Sequence, residues 1–280
     1  MAVKPARDNH DEAVAKLDRE MRFFESKPKA GKRLSEADVN FYNERGYLTG
    51  LRALEPDQAK DVRERFNTLL QKFLDAGENA YAIESYHDRV PLIHELATNP
   101  VIVDYASDLL GENVVCWDTH FFCKMPGDDK EISWHQDSAY WPLTPTKTVT
   151  VWLAIDDADV ENGCMRVVPG SHKHGLIKTR ESRDDEKNVL TQTVDDPERY
   201  GEQAVNAELK AGEFSMHSDL LLHGSNPNRS DRRRCGLTLR YAPADVRAYW
   251  DWNKGGIIVA GEDPEGHWTH TPKPNVETAP

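Results

Sequence analysis

The chain has 280 residues, with 48 acidic against 35 basic side chains, a formal net charge of −13 and 38% hydrophobic residues. That length suffices for one large domain with a substantial core, and the acid excess argues against nucleic-acid binding, which needs Lys and Arg gathered on one face. No apolar run approaches the length of a membrane span, and Met1 to Asp8 lack the apolar centre of a signal peptide.

The expectation is therefore a cytoplasmic protein with no membrane partner. Cys116, Cys123, Cys164 and Cys235 are scattered without C-x-x-C spacing and read as small apolar residues in a reducing compartment. In chain order, residues 10 to 28 carry Leu17, Met21 and Phe24 at helical spacing. Ser35-Glu36-Ala37-Asp38 then supplies an N-cap for a helix that Gly46 closes. Pro56 opens a longer helix with Ala59, Val62, Phe66, Leu69, Leu70 and Phe73 on one face. A short helix over Val101 to Leu110 stops at Gly111.

After Gly111 the texture changes to short β-branched or aromatic runs: Val114 to Trp117, Thr119 to Cys123, Val149 to Ile155, Met165 to Val168 and Leu237 to Tyr241. Glu161-Asn162-Gly163 has the composition of a type I′ hairpin turn. Pro169-Gly170-Ser171 ends the next strand, and His172 is placed to cap that turn. The polar stretch from His172 to about Gly212 is a lid or an insertion. The pattern predicts a mainly β fold with a helical N-terminal layer, a double-stranded β-helix of the jelly-roll, cupin-like kind.

The chemistry centres on Ile132-Ser133-Trp134-His135-Gln136-Asp137. In an extended strand, residues two apart point to the same face, so His135 and Asp137 supply two thirds of a two-histidine, one-carboxylate Fe(II) triad. Alone, H-x-D is a weak signal, since most such pairs lie on surfaces or turns. The third ligand is expected from a later neighbouring strand in Met216 to Ser225, where His217 and His223 compete. His217 starts a second H-x-D with Asp219; His223 follows the apolar run Leu220-Leu221-Leu222 and is preferred for what lies beyond it. Arg234 comes eleven residues later. If a hairpin joins the two, both point into the barrel, and a buried Arg needs an anion such as a dicarboxylate cosubstrate. The plainer alternative makes Arg232, Arg233 and Arg234 a solvated basic loop.

Several blocks in order resemble the phytanoyl-CoA dioxygenase family of Fe(II)/2-oxoglutarate oxygenases. They are Trp134 to Asp137, Val151 to Ala158, Glu161 to His172, Leu221 to Asn228, Arg234, and Leu239 to Pro243. The likeness covers roughly residues 35 to 250. It implies that His135, Asp137 and His223 hold Fe(II) and that Arg234 binds the distal carboxylate of 2-oxoglutarate. Lys124, Trp152 and Ser225 are implied as further cosubstrate-pocket residues, against plain roles as strand-edge charge, core ring and turn hydroxyl. The implied division is an N-terminal helical extension over 1–34, the dioxygenase domain over 35–255 and an irregular tail over 256–280. Halogenating relatives lack the metal carboxylate, so Asp137 favours hydroxylation of a C–H bond by O2, with release of succinate and CO2; desaturation or epimerisation uses the same centre.

For the small-molecule substrate, Tyr140, Trp141, Arg166, Trp250 and Trp252 are candidate pocket residues, though such rings also fill β-cores. Lys173, His174, Lys178, Arg180 and Arg183 make the insertion locally basic, as an anionic substrate or a merely solvated surface would have it. The family's peroxisomal targeting signals are not found, and the chain ends Glu277-Thr278-Ala279-Pro280. A small polar or anionic metabolite is the expectation. The alternatives are a CoA thioester or lipid-like substrate, a metal-binding cupin-type protein that is no oxygenase, and a silent binding module.

Overall fold

The computed structural model describes residues 10–280; residues 1–9, which begin the expected extension and include the segment compared with a signal peptide, lie outside the described part. Among the described residues no helix is long and apolar enough to cross a membrane. The helix expected over 10–28 shrinks to α1 (His10–Ala15), and residues 16 to 35 run without regular structure. Tertiary partners outbid the local pattern there. Arg19 Nη1 donates to the carbonyls of Ser138 and Trp141, each at 2.7 Å, and Ser26 binds Asn43 and the Leu109 carbonyl.

The next helices follow their signals. In α2 (Glu36–Arg45) Ser35 and Asp38 form a reciprocal capping box, and Gly46 ends it at φ 82°. The chain passes through β1 (Tyr47–Arg52) into α3 (Pro56–Asp75), which buries the six apolar residues of its predicted face. α4 (Pro91–Ala97) and α5 (Pro100–Leu110) complete the layer, with Asn99 capping α5.

The strands are β2 (Val114–Lys124), β3 (Ile132–His135), β4 (Leu143–Thr144), β5 (Val149–Ala154), β6 (Met165–Val167), β7 (Arg180–Glu181) and β8 (Gln192–Thr193). They continue with β9 (Val205–Ala207), β10 (Glu213–Ser218), β11 (His223–Ser225), β12 (Arg234–Pro243), β13 (Arg247–Ala248) and β14 (Ile257–Ala260). Two antiparallel sheets make the jelly roll: β1-β10-β5-β12-β2-β14 and β3-β11-β6-β9.

In the large sheet alternate residues divide between two environments. Cys235, Leu237, Leu239 and Tyr241 of β12, Val149, Val151 and Leu153 of β5, and Phe214 and Met216 of β10 pack in one cluster with the helices. Phe66 of α3 stacks on Phe121 at 4.5 Å between ring centroids. The intervening residues Arg234, Thr150, Trp152, Ser215 and His217 belong to the other face, where Arg234 meets Ser225 of the small sheet. That face lines the barrel.

Three expectations are corrected. Glu161-Asn162-Gly163 does turn, with Gly163 at φ 77°, but β5 and β6 belong to different sheets, so no hairpin forms. The Asn162 side chain instead ties the backbone of Asp157 and Asp159. Likewise β11 and β12 lie in different sheets, so no hairpin joins His223 to Arg234, and Arg234 instead reaches Ser225 of β11 across the barrel. The tail expected to be irregular from 256 contains β14, which pairs with β2.

Candidate active site

His135 is the last residue of β3, and His223 is the first of β11; the two strands pair with these residues as direct partners. Asp137 is not in the strand, as the H-x-D reading supposed, but opens a one-turn 3-10 helix over 137–139. Gln136 keeps extended dihedrals between them, so both side chains still converge. Asp137 Oδ1 lies 3.7 Å from His135 Nε2 and 3.8 Å from His223 Nε2, and one ligand atom from each residue falls within 4.8 Å of the others. All three residues are buried.

The orientation of the imidazoles suits a metal ion. His135 Nδ1 is 2.8 Å from the Ser133 carbonyl, and His223 Nδ1 is 3.0 Å from the Leu221 carbonyl. A carbonyl can only accept, so each Nδ1 carries the proton and each Nε2 presents a lone pair inward. Burial and the neighbouring His135 and His217 push His223 well below its ordinary pKa, leaving the neutral form a metal requires. Burial alone would raise the Asp137 carboxyl, but the surrounding imidazoles, His223 foremost, hold it well below the usual carboxylate range. Two imidazole nitrogens and one carboxylate oxygen are the donor set of a facial triad.

The competing histidine lies beside this cluster. His217 on β10 has Nε2 3.4 Å from Asp137 Oδ2, and its ring centroid is 4.4 Å from that of His223. Its partner in the second H-x-D does not complete another centre. The Asp219 carboxylate meets the Thr148 N–H at 3.3 Å and the Ser218 hydroxyl at 3.4 Å, and burial raises it to about 8. Thr150, which the sequence reading passed over, donates to Asp137 Oδ2 at 2.9 Å. The alternation in Val-Thr-Val-Trp-Leu-Ala, which sets Thr150 and Trp152 on one face, was the available signal.

A second group sits at the start of β12. Arg234 and Lys124 are direct cross-strand partners on β12 and β2, and both are almost wholly buried. Lys124 Nζ donates to the carbonyls of Ser225 (3.3 Å) and Asn226 (2.5 Å). Arg234 Nη2 reaches the Ser225 hydroxyl at 3.3 Å, its Nη1 reaches the Phe122 carbonyl at 3.4 Å, and its Nε has no partner among the described residues. The guanidinium carbon stands 5.5 Å from the Trp152 ring centroid. That ring lies against Gly236, where a Cβ would come within 2.1 Å of it. Burial, then the charge of Arg234, pushes Lys124 down to about 7; burial also lowers Arg234. Two buried basic groups side by side, neither ion-paired with a carboxylate among the described residues, are a costly arrangement that an incoming anion would relieve. The solvated-loop alternative survives only for Arg232, which pairs with Asp159 at the surface; Arg233 clamps the buried Asp156.

The remaining candidates separate. The Tyr140 ring lies 6.0 Å from that of His135. Trp141 packs edge-on against Trp117 in a core cluster. Trp252 stacks on His10 of α1, 5.6 Å away, and Trp250 packs edge-on to the same ring. Arg166 lies over Trp134 and reaches the Asn226 side chain at 3.4 Å. His172 does not cap its own turn: its Nε2–H donates to the Asn43 carbonyl at 3.0 Å, and burial pushes it down to about 4. The basic insertion is largely neutralised, Lys173 by Glu44, Arg180 by Glu186 and Asp195, and Arg183 by Glu186. His174 meets Tyr200 edge-on. Lys178 instead lines a cavity of about 290 Å³ with Arg19, Asp11, Ala139 and Gln192, beside the turn that carries Asp137.

A jelly roll enclosing two histidines and a carboxylate is the architecture of the non-heme Fe(II) oxygenases. The family profile described as phytanoyl-CoA dioxygenase matches residues 42–236. The chain therefore belongs to the phytanoyl-CoA dioxygenase family of Fe(II)/2-oxoglutarate-dependent oxygenases. It is 30% identical over 180 residues to a phytanoyl-CoA dioxygenase of Arabidopsis thaliana, spanning 64% of this chain and 61% of that protein. It is 32% identical over 174 residues to a probable alpha-ketoglutarate-dependent hypophosphite dioxygenase of Stutzerimonas stutzeri, spanning 59% of this chain and 57% of the relative. The chain thus covers about three fifths of the length of these curated relatives. Among solved structures, the apo form of the non-heme monooxygenase ThoJ superposes with a TM-score of 0.73 at 25% identity, over 85% of this chain and 88% of that one.

Proposed function

We propose that the protein uses Fe(II), 2-oxoglutarate and O2 to hydroxylate a C–H bond of a small polar or anionic metabolite, releasing succinate and CO2. His135, Asp137 and His223 are the iron ligands, Arg234 and Lys124 receive the distal carboxylate of the cosubstrate, and Trp152 and Ser225 border it. The observation that carries the reading is the pair of buried basic groups with no carboxylate ion-paired to either among the described residues, in the same barrel as the triad. Bound iron and cosubstrate supply the oxidative decarboxylation that drives oxygen into the C–H bond. The protein's part is positional. Arg234 forks onto a carboxylate through parallel N–H donors, Lys124 adds charge, and the buried walls keep water from the centre.

The small-substrate reading draws support from a cavity of about 290 Å³ that shares Ala139 with the Asp137 turn but none of the three metal-binding side chains, at the lower end of ligand-pocket volumes. Arg19 and Lys178 outnumber Asp11 in its lining, which favours an anion. The relatives' names cover phytanoyl-CoA and hypophosphite, and the cavity suits the smaller of the two. Succinate release in a screen of small anions, with none from CoA thioesters, is the expected result; the reverse would overturn the size argument.

The oxygenase reading is tested by anaerobic titration with Fe(II) and 2-oxoglutarate. A weak visible charge-transfer band should appear for the wild type; its absence would leave a cupin-type or silent protein.

Lys124 adds a pH dependence. In the free protein it titrates near 7, and a carboxylate beside it raises it towards its ordinary value. Above pH 7, therefore, cosubstrate binding takes up a proton, and affinity falls as pH rises. Between pH 6 and 8.5 the Kd for 2-oxoglutarate should increase roughly 30-fold, with a flat profile in Lys124→Met. Calorimetry in two buffers of different ionisation heat would detect the proton, and a flat wild-type profile would refute its source.

A further inference from the structure

We infer that His217 and Thr150 form a positioning pair that grips the outer oxygen of Asp137, so that the carboxylate meets the metal through one oxygen only. The inference rests on the proposed function and deepens it. Asp137 presents its two oxygens to different neighbours. Oδ1 is nearly equidistant from the inward nitrogens of His135 and His223, at 3.7 and 3.8 Å. Oδ2 faces the other way, with the Thr150 hydroxyl at 2.9 Å and His217 Nε2 at 3.4 Å.

The sheet enforces this. Thr150 on β5 and His217 on β10 are direct cross-strand partners, so their side chains stand together on the barrel face and bracket one atom. His217 is 1% exposed, and neither ring nitrogen has an aligned hydrogen-bond partner among the described residues. An imidazole buried without partners is unfavourable unless something in the working state uses it. A small rotation of the Asp137 carboxylate as Oδ1 turns to a metal would bring Oδ2 into line with Nε2. Held from behind, the carboxylate cannot swing its second oxygen onto the ion, and all three remaining positions stay open.

Mn(II), which is read through its own paramagnetism and not through turnover, is the probe. Its affinity is measured by electron paramagnetic resonance, and its bound-water count by water-proton relaxation. Wild type, Thr150→Val, His217→Phe and His217→Gln are compared. Thr150→Val keeps the shape of the side chain, so the test does not depend on His217→Phe folding. Loss of either donor should let the second oxygen displace a water, lowering the relaxation enhancement by about a third, and weaken Mn(II) binding roughly 10- to 100-fold. His217→Gln, whose amide also donates, should recover most of both. Wild-type relaxation in folded Thr150→Val or His217→Phe, or a Gln variant no better than Phe, overturns the proposal. A wild type that binds no Mn(II) sinks the triad reading itself, and this proposal with it; a wild type that binds normally isolates the fault in the positioning pair.

Discussion

Replacing Arg234 with methionine is expected to weaken 2-oxoglutarate binding by about 2–5 kcal/mol, roughly 30- to 4,000-fold, while raising the thermal stability of the cosubstrate-free protein. The two effects have one cause. Arg234 is buried, its Nε is without a partner among the described residues, and its direct neighbour on the adjoining strand is another basic group, Lys124. Folding desolvates that charge and gains little for it, so an apolar side chain of similar length relieves the empty pocket. On the proposed function, the cosubstrate's carboxylate is what the charge awaits. Removing Arg234 leaves the carboxylate with Lys124 alone, which gives charge but no planar fork. Anaerobic calorimetry with Fe(II) present and thermal unfolding without ligand measure the two halves. A variant that binds 2-oxoglutarate as the wild type does would eliminate Arg234 as its anchor.

Asp137→Ala is expected to lose iron affinity by about 3–5 kcal/mol, between about a hundredfold and a few thousandfold, and with it all cosubstrate-dependent turnover. Among the described residues the carboxylate is the one anion beside His135, His217 and His223; the His223 ring lies 4.1 Å from that of His135 and 4.4 Å from that of His217. Without it, two neutral imidazoles remain to bind a dication, and Thr150 and His217 lose the oxygen they face. Fe(II) binding followed anaerobically, with succinate release under air, provides the check. Iron held with wild-type affinity by this variant would mean that the carboxylate ligand lies elsewhere.

The legible and illegible parts of the site divide by range. H-x-D, the Leu-Leu-Leu-His run and Arg234 were visible because each is a local pattern, and the structure brings these residues together. The choice of His223 over His217 could only be argued indirectly, since two histidines six residues apart present equal chemistry. The register of β11 against β3 puts His223 directly opposite His135, while His217 stands on the other sheet. Thr150 carried no motif, and its importance arises from the strand opposite.

Local signals wrote most of the helical layer, through caps and glycines at α2 and α5 and a 3.6-residue apolar period in α3, and the jelly-roll texture through short alternating runs. The sequence also carried the donor types that one iron needs. Tertiary structure alone decided that residues 16 to 35 abandon their helical spacing, because Arg19 and Ser26 find partners that a helix would deny them. It decided that β6 and β12 cross between sheets instead of forming hairpins, and that the insertion's basic residues meet their own acids. Local spacing records which face a side chain takes. Which side chain from a distant strand waits on that face is set by sheet pairing, a long-range contact that no window of sequence contains.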